Sequence, residues 1–263
     1  MRTLLLATLI LIIGSAPALA ASDDLTVVSK NMLNGKDAGN STSYMSSDHV
    51  RMANGDGSEM IVDTNSGVMT TLDNKKKTYF TTTQQDLQQM SAKMQAMMSD
   101  PEMKKGMDMM QKMRGAMTQS YEVKDTGVSR KIAGFSCEDW TISMAGVSTM
   151  HQCVTTALKY PAHAFDAYKA FSQSLQAAMS AMGPMAKSGA DLAEKLKKMQ
   201  GFPIATSYAT DIMGMKSSME SEVIEVRRGS IPNSTWEIPA GYKQIANPML
   251  GAFDKHSRAH PSG

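Results

Sequence analysis

From residue 25 to residue 82 apolar and polar positions alternate in short bursts, with turn signals about ten residues apart. That spacing predicts an antiparallel meander. Strands are expected over 25–32, over 41–45 with 50–53 as one bent strand, then over 59–63, 68–72 and 78–82. The turns between them fall at Asn54-Gly55-Asp56-Gly57, Asn65-Ser66-Gly67 and Asp73-Asn74-Lys75.

The period changes after Thr83. Leu87, Met90, Met94, Met97 and Met98 recur at helical spacing and predict an amphipathic helix over 84–98. Asp100-Pro101 suits an N-cap and first helical position, opening a second helix with Met103, Met107, Met110, Met113 and Met117 on one broad face. Strand pattern returns over 121–123, 128–132, 134–143 and 148–156. Beyond Pro161 a third helix is expected, with Phe165, Tyr168, Leu175, Met179 and Met182 on one side, broken at Gly183-Pro184. A fourth follows, capped by Ser188 with Asp191 three residues on, carrying Leu192, Leu196 and Met199 and stopping at Gly201. Strands over 203–212, 216–228 and 235–238 close the chain. The order predicts an α+β fold: one antiparallel sheet with helical insertions at 84–119 and 162–200, all within a single domain over 21–246, then a disordered polar tail over 247–263.

The first twenty residues stand outside this pattern. Arg2, an apolar run over 4–13 and Ala18-Leu19-Ala20 predict a signal peptide cleaved after Ala20. The apolar run is too short for a membrane span, which needs roughly 20 residues. The expected mature protein is therefore periplasmic or secreted, without a transmembrane segment.

Charge excludes one class of partner. The whole chain has 27 basic and 25 acidic residues, and such a balance gives no basic excess for nucleic acid. The two cysteines, Cys137 and Cys153, are bound for an oxidising compartment and flank a hairpin-like segment, so they predict a disulfide roughly opposite across the ladder.

No motif of nucleophilic, phosphate-binding or zinc chemistry occurs, and the five histidines are scattered. The expectation is a protein that is not an enzyme, with no catalytic residue, cofactor or metal centre. The compositional anomaly is methionine, 26 of 263 residues. Three readings stay open. Methionine fills a core between helices and sheet, or its flexible thioethers line an adaptable apolar surface for a lipid, another hydrophobic ligand or a hydrophobic protein segment. In the third reading clusters such as Met94, Met97 and Met98, or Met107, Met110 and Met113, hold copper(I) or silver(I). In the second, the lining comprises the fifteen residues from Leu87 to Met182 named above on the first three helices.

His49-Val50-Arg51-Met52, Glu59-Met60-Ile61-Val62-Asp63, Thr71-Leu72-Asp73 and Lys77-Thr78-Tyr79 resemble a known pattern, as do Gly201-Phe202-Pro203-Ile204 and Trp236-Glu237-Ile238-Pro239-Ala240-Gly241-Tyr242. The chain is similar to an uncharacterised domain-of-unknown-function family of exported bacterial proteins, itself resembling the periplasmic lipoprotein-carrier (LolA/LolB/LppX-like) half-barrels. The resemblance implies a strongly curved sheet with the helices packed on its concave face, as a lid over an apolar cavity. It implies a carrier of a hydrophobic small molecule or lipid; a structural protein docking an unidentified partner through its helices is the further alternative.

Overall fold

The computed structural model describes residues 23–101, 105, 121–144, 148–161, 192, 194–212 and 215–251, with backbone alone at Met94, Met97, Met98, Met144, Ile212 and Met215. The chain opens with β1 (Leu25–Leu33), β2 (Lys36–Met45), β3 (His49–Ala53), β4 (Ser58–Asp63), β5 (Met69–Asp73) and β6 (Thr78–Thr82). Helix α1 (Gln84–Ser99) follows, then β7 (Tyr121–Ile132), β8 (Phe135–Met144), β9 (Ser148–Thr155), β10 (Phe202–Ile212) and β11 (Met215–Arg228). A 3-10 turn (Asn233–Trp236) and the short β12 (Lys243–Gln244) end the described elements.

These strands form one large, curved, unclosed sheet, in the order β12-β6-β5-β4-β3-β2-β1-β11-β10-β9-β8-β7. Neighbours are antiparallel except β12, which runs parallel to β6. The α+β expectation holds in this coarse form. The second helix apart from residues 101 and 105, the third, and residues 188–191 and 193 of the fourth fall outside the described residues, as does the signal segment; the fourth is helical at 192 and 194–196 and passes into a turn at 197–198, short of Gly201.

Three local expectations change. The bent strand is two antiparallel strands, because Ser46 closes a tight turn: its Oγ accepts from the N–H groups of Asp48 at 3.3 Å and His49 at 3.0 Å. β7 runs unbroken through 124–127, where Asp125 accepts from the Gly127 N–H at 2.8 Å and Gly127, at φ 69°, absorbs a bulge. The expected strand over 235–238 does not form: Thr235 and Trp236 end the 3-10 turn, Glu237 and Ile238 are irregular, and β12 takes the pairing with β6.

The main buried cluster unites Leu25, Val27, Met45, Ile132, Leu158, Phe202, Ile204 and Val223 with both cysteines. Cys137 and Cys153 are bonded, with Cα atoms 5.3 Å apart. The bridge is diagonal, since Cys153 lies opposite Asp139 rather than Cys137. It closes a loop of sequence separation 16. Reduction under native conditions is expected to cost about 3 kcal/mol, read as a lower urea midpoint with dithiothreitol than without. An unchanged midpoint contradicts this.

The β4–β5 turn supplies a pH handle. Asp63 accepts from the backbone N–H of Ser66 at 3.0 Å and of Asn65 at 2.8 Å, which holds its carboxyl below the ordinary value of 3.8. A lowered folded value stabilises the fold above the ordinary pKa, and that contribution disappears as pH falls through the folded value. The stability difference between the native chain and Asp63→Asn should therefore shrink from pH 7 to pH 3 in chemical denaturation. A constant difference contradicts it.

Candidate functional site

Strand register assembles a surface that no single strand displays. Side chains at directly paired positions share one face of a sheet. One row of pairs runs Leu25–Met45–Val50–Val62–Met69–Thr82 across β1 to β6. The next row on that face, two residues along, runs Val27–Ser43–Met52–Met60–Thr71–Phe80. Towards the other end of β1, a third row runs Leu33–Met219–Tyr208–Met150–Ile142–Val123 from β1 to β7. Leu25, Val27 and Leu33 lie at alternate positions of β1, so all three rows occupy the same face.

Six strand methionines, Met45, Met52, Met60, Met69, Met150 and Met219, thus sit on one side of the sheet. Met45 is buried, whereas Met60, Met69 and Met150 are half-buried. Met52 is 37% exposed, Met219 48% and Leu33 50%. The surface is only partly covered, and it falls into two apolar patches, because the row Asn31–Ser221–Thr206–Gln152 on the same face is polar and separates the Leu33 row from the other two.

Over β3 to β6 the opposite face is sealed. Residues 231–247 form a strap that leaves β11, where the Ile231 N–H donates to Asp24 at 3.2 Å, and reaches the β6 edge. There Lys243 N–H donates to Lys77 O at 3.0 Å and Ile245 N–H to Tyr79 O at 2.8 Å. Under the strap Ile61 and Leu72 are buried. Arg51 and Glu59 pair with only 12% and 13% of their side chains exposed. Arg51 Nε donates to Glu59 Oε2 at 2.7 Å, and Nη1 donates to the Thr235 carbonyl at 2.5 Å. Asn74 Nδ2 donates to Glu59 Oε1 at 2.5 Å, and the Tyr242 hydroxyl donates to Asn74 Oδ1 at 2.7 Å. His49 stacks on Trp236 with ring centroids 5.3 Å apart. No buried side-chain nitrogen or oxygen among the described residues lacks a partner, so this network has no spare group aimed at a ligand. It fixes the strap over this face.

The helix-borne residues expected to line a site divide in two. Leu87 and Met90 are half-buried on α1, and Met94, Met97 and Met98 lie within its backbone span. Met103, Met107, Met110, Met113, Met117, Phe165, Tyr168, Leu175, Met179 and Met182 lie outside the described residues. α1 is held to the end of β6 by a reciprocal cap: Thr83 N–H donates to Asp86 Oδ2 at 2.8 Å, and Asp86 N–H donates to Thr83 Oγ1 at 3.2 Å. Thr83→Ala should cost about 1 kcal/mol, read as a lower denaturant midpoint. No loss at all would show the cap to be unimportant.

At the root of the second insertion, Thr156, Leu158, Lys159, Tyr160, Gln200 and Gly201 surround an open hollow of about 370 Å³. Tyr160 packs on Phe202, with centroids 4.6 Å apart. Across the same insertion Lys195 Nζ donates to the Tyr121 carbonyl at 2.5 Å, tying its returning end to the start of β7. Among the described residues no group of three or more His, Cys, Asp or Glu side chains is placed to hold a metal ion. None of their helices is long and apolar enough to cross a membrane.

Helical periodicity points to the methionines of the insertions and passes over the six in strands. Alternation within each strand is visible in the residue order. The pairing that brings the six onto one face is not.

Comparison with known proteins adds a family and three distant likenesses. A family model described as a domain of unknown function (DUF4412) matches residues 28–242. No curated protein matches the chain. The chain is similar to the structure of PNGF-II in a C2 crystal, at 13% identity and TM-score 0.40, covering 89% of this chain and 33% of that one. It is similar to an uncharacterized conserved protein from Thermus thermophilus, at 7% identity and TM-score 0.42, covering 85% and 90%. Against the Pseudomonas aeruginosa MucA/MucB complex the values are 9% and 0.41, covering 83% and 56%. The chain thus spans a third of the PNGF-II chain and just over half of the MucA/MucB one.

Proposed function

The chain belongs to the family described as a domain of unknown function (DUF4412), and from that premise we propose that it is an exported, non-enzymatic binding or carrier protein for a lipid or other apolar molecule. One observation carries the reading: six strand methionines, in two patches rich in apolar side chains, occupy one sheet face, while residues 231–247 cover the other over β3 to β6. A fully buried aliphatic or methionine side chain contributes roughly 1.5–3 kcal/mol relative to an exposed one. Half-exposed Met52, Met60, Met69, Met150 and Met219 therefore leave stabilisation that an apolar ligand or covering helix supplies. Methionine suits ligands of varied shape, because its unbranched thioether repacks at low cost.

In this proposal the mature chain begins after Ala20, and the sheet with its insertions at 84–119 and 162–200 is a single domain. The helix-borne residues named above then belong to the same ligand lining. The test is native mass spectrometry and organic extraction of the purified mature chain, with titration by anilinonaphthalene sulfonate. Support is a co-purifying apolar molecule, or dye binding weakened at least tenfold by Met219→Glu with Met150→Glu. No apolar molecule and no saturable dye binding would overturn the proposal.

A further inference from the structure

The methionine face contains a more specific arrangement over β3, β4 and β5. Met52 and Met60 are directly paired across β3 and β4. Met60 lies opposite Thr71, and Val62 opposite Met69, so Met69 is the diagonal neighbour of Met60 on β5. Three consecutive strands therefore each offer one thioether from the same face, centred on Met60. Strands are spaced about 4.8 Å apart, directly opposed Cβ atoms lie about 5 Å apart and diagonal ones about 7–8 Å. A methionine side chain spans such a gap towards a shared point above β4, and its three rotatable bonds let the sulfur be aimed. Met45 is on β2, two strands from β4, and is already buried, so it stays outside the set.

We infer that Met52, Met60 and Met69 form a three-thioether site for a soft monovalent cation, copper(I) or silver(I). The chemistry of the donors sets this class: neutral thioethers favour soft cations and bind zinc, calcium or magnesium poorly. The surroundings agree. Around the three sulfurs the same face presents Ser43, Val50, Val62, Thr71 and Phe80, with no carboxylate or imidazole among these neighbours. His49, Arg51 and Glu59 alternate onto the strap side, where their own contacts occupy them. Met52 is 37% exposed and its two partners half-buried, which leaves an approach for an ion. Because thioethers carry no titrating proton, binding is independent of pH from 5 to 8, unlike that at histidine or cysteine sites.

The site shares Met52, Met60 and Met69 with the face that the apolar-ligand reading uses, but it depends on their sulfurs alone and not on the helix methionines. The experiment is anaerobic titration of the mature chain with copper(I) against a coloured copper(I) chelator, at pH 5 and pH 8. Expected is one equivalent bound at both pH values, weakened tenfold or more by Met52→Leu with Met60→Leu and Met69→Leu, and unaltered by Met94→Leu with Met97→Leu and Met98→Leu. Leucine keeps the volume and apolar character, at a cost usually below about 1.5 kcal/mol per site. If the triple variant does not fold, Met60→Leu alone removes the central sulfur and is held to the same tenfold criterion. No chelator-competitive binding by the intact chain, a loss smaller than tenfold, or a loss confined to the helix variant overturns the assignment.

Discussion

Glu59→Ala is expected to destabilise the chain by about 3–5 kcal/mol, because it leaves the Arg51 guanidinium under the strap without its anion. Arg51 and Glu59 expose only 12% and 13% of their side chains, so solvent screens the loss weakly. The substitution also strips Asn74 Nδ2 of its acceptor, and Asn74 receives the Tyr242 hydroxyl bond that holds the end of the strap. For a chain of this size the melting temperature should fall by roughly 6–20 °C. The damage should be directional. Limited proteolysis should cut first within 231–251, and the Trp236 environment, stacked on His49, should change in fluorescence. Replacing both partners, Arg51→Met with Glu59→Met, should recover part of the loss, since an apolar pair carries no orphaned charge. A melting temperature within about 2 °C of the native chain for Glu59→Ala would show that the pair contributes little.

Gly201→Val is expected to cost about 4 kcal/mol, from backbone strain and overpacking together. Gly201 has φ 131°, and a Cβ there would sit 2.9 Å from both the Thr155 carbonyl carbon and Val154 Cγ1. The neighbour is backbone at the end of β9, so it yields poorly. Gly241→Val separates the two causes: its φ is 85°, yet nothing lies within 4 Å of its Cβ position. That control should lose about half as much, and calorimetry of the two variants side by side measures the difference. Equal losses would remove the close approach as a cause. Gly201 also borders the hollow at the root of the second insertion, so it positions the returning chain where β10 begins.

Much of the local structure is legible in residue order. The meander from β3 to β6 follows from period-two alternation and Asn/Asp/Gly turns, and α1 follows from Leu87 and Met90 in phase after Thr83. Cys137 and Cys153 are an obvious pair, though not their diagonal geometry. The strand expected over 235–238 does not form, although Trp236 and Ile238 alternate like strand residues. What governs that segment is the hold of Arg51 on the Thr235 and Glu237 carbonyls, at 2.5 and 3.5 Å across more than 180 residues.

The sequence by itself determined most of the described strands and α1, and that methionine is unusually frequent. Those properties rest on interactions within a few residues, and local order encodes them. Only the tertiary structure decided that Met52, Met60 and Met69 are neighbours, that six strand methionines share one face, and that the strap seals the other over β3 to β6. Face membership depends on register, and a single extra residue reverses it. Ala38 in β2 and Ile224 in β11 are such residues: Val28 lies opposite Glu225 but Ser29 opposite Val223, so alternation in β11 changes phase there. A bulge is set by the packing and pairing of whole strands, so no local pattern of apolar residues announces which side of the sheet each methionine takes.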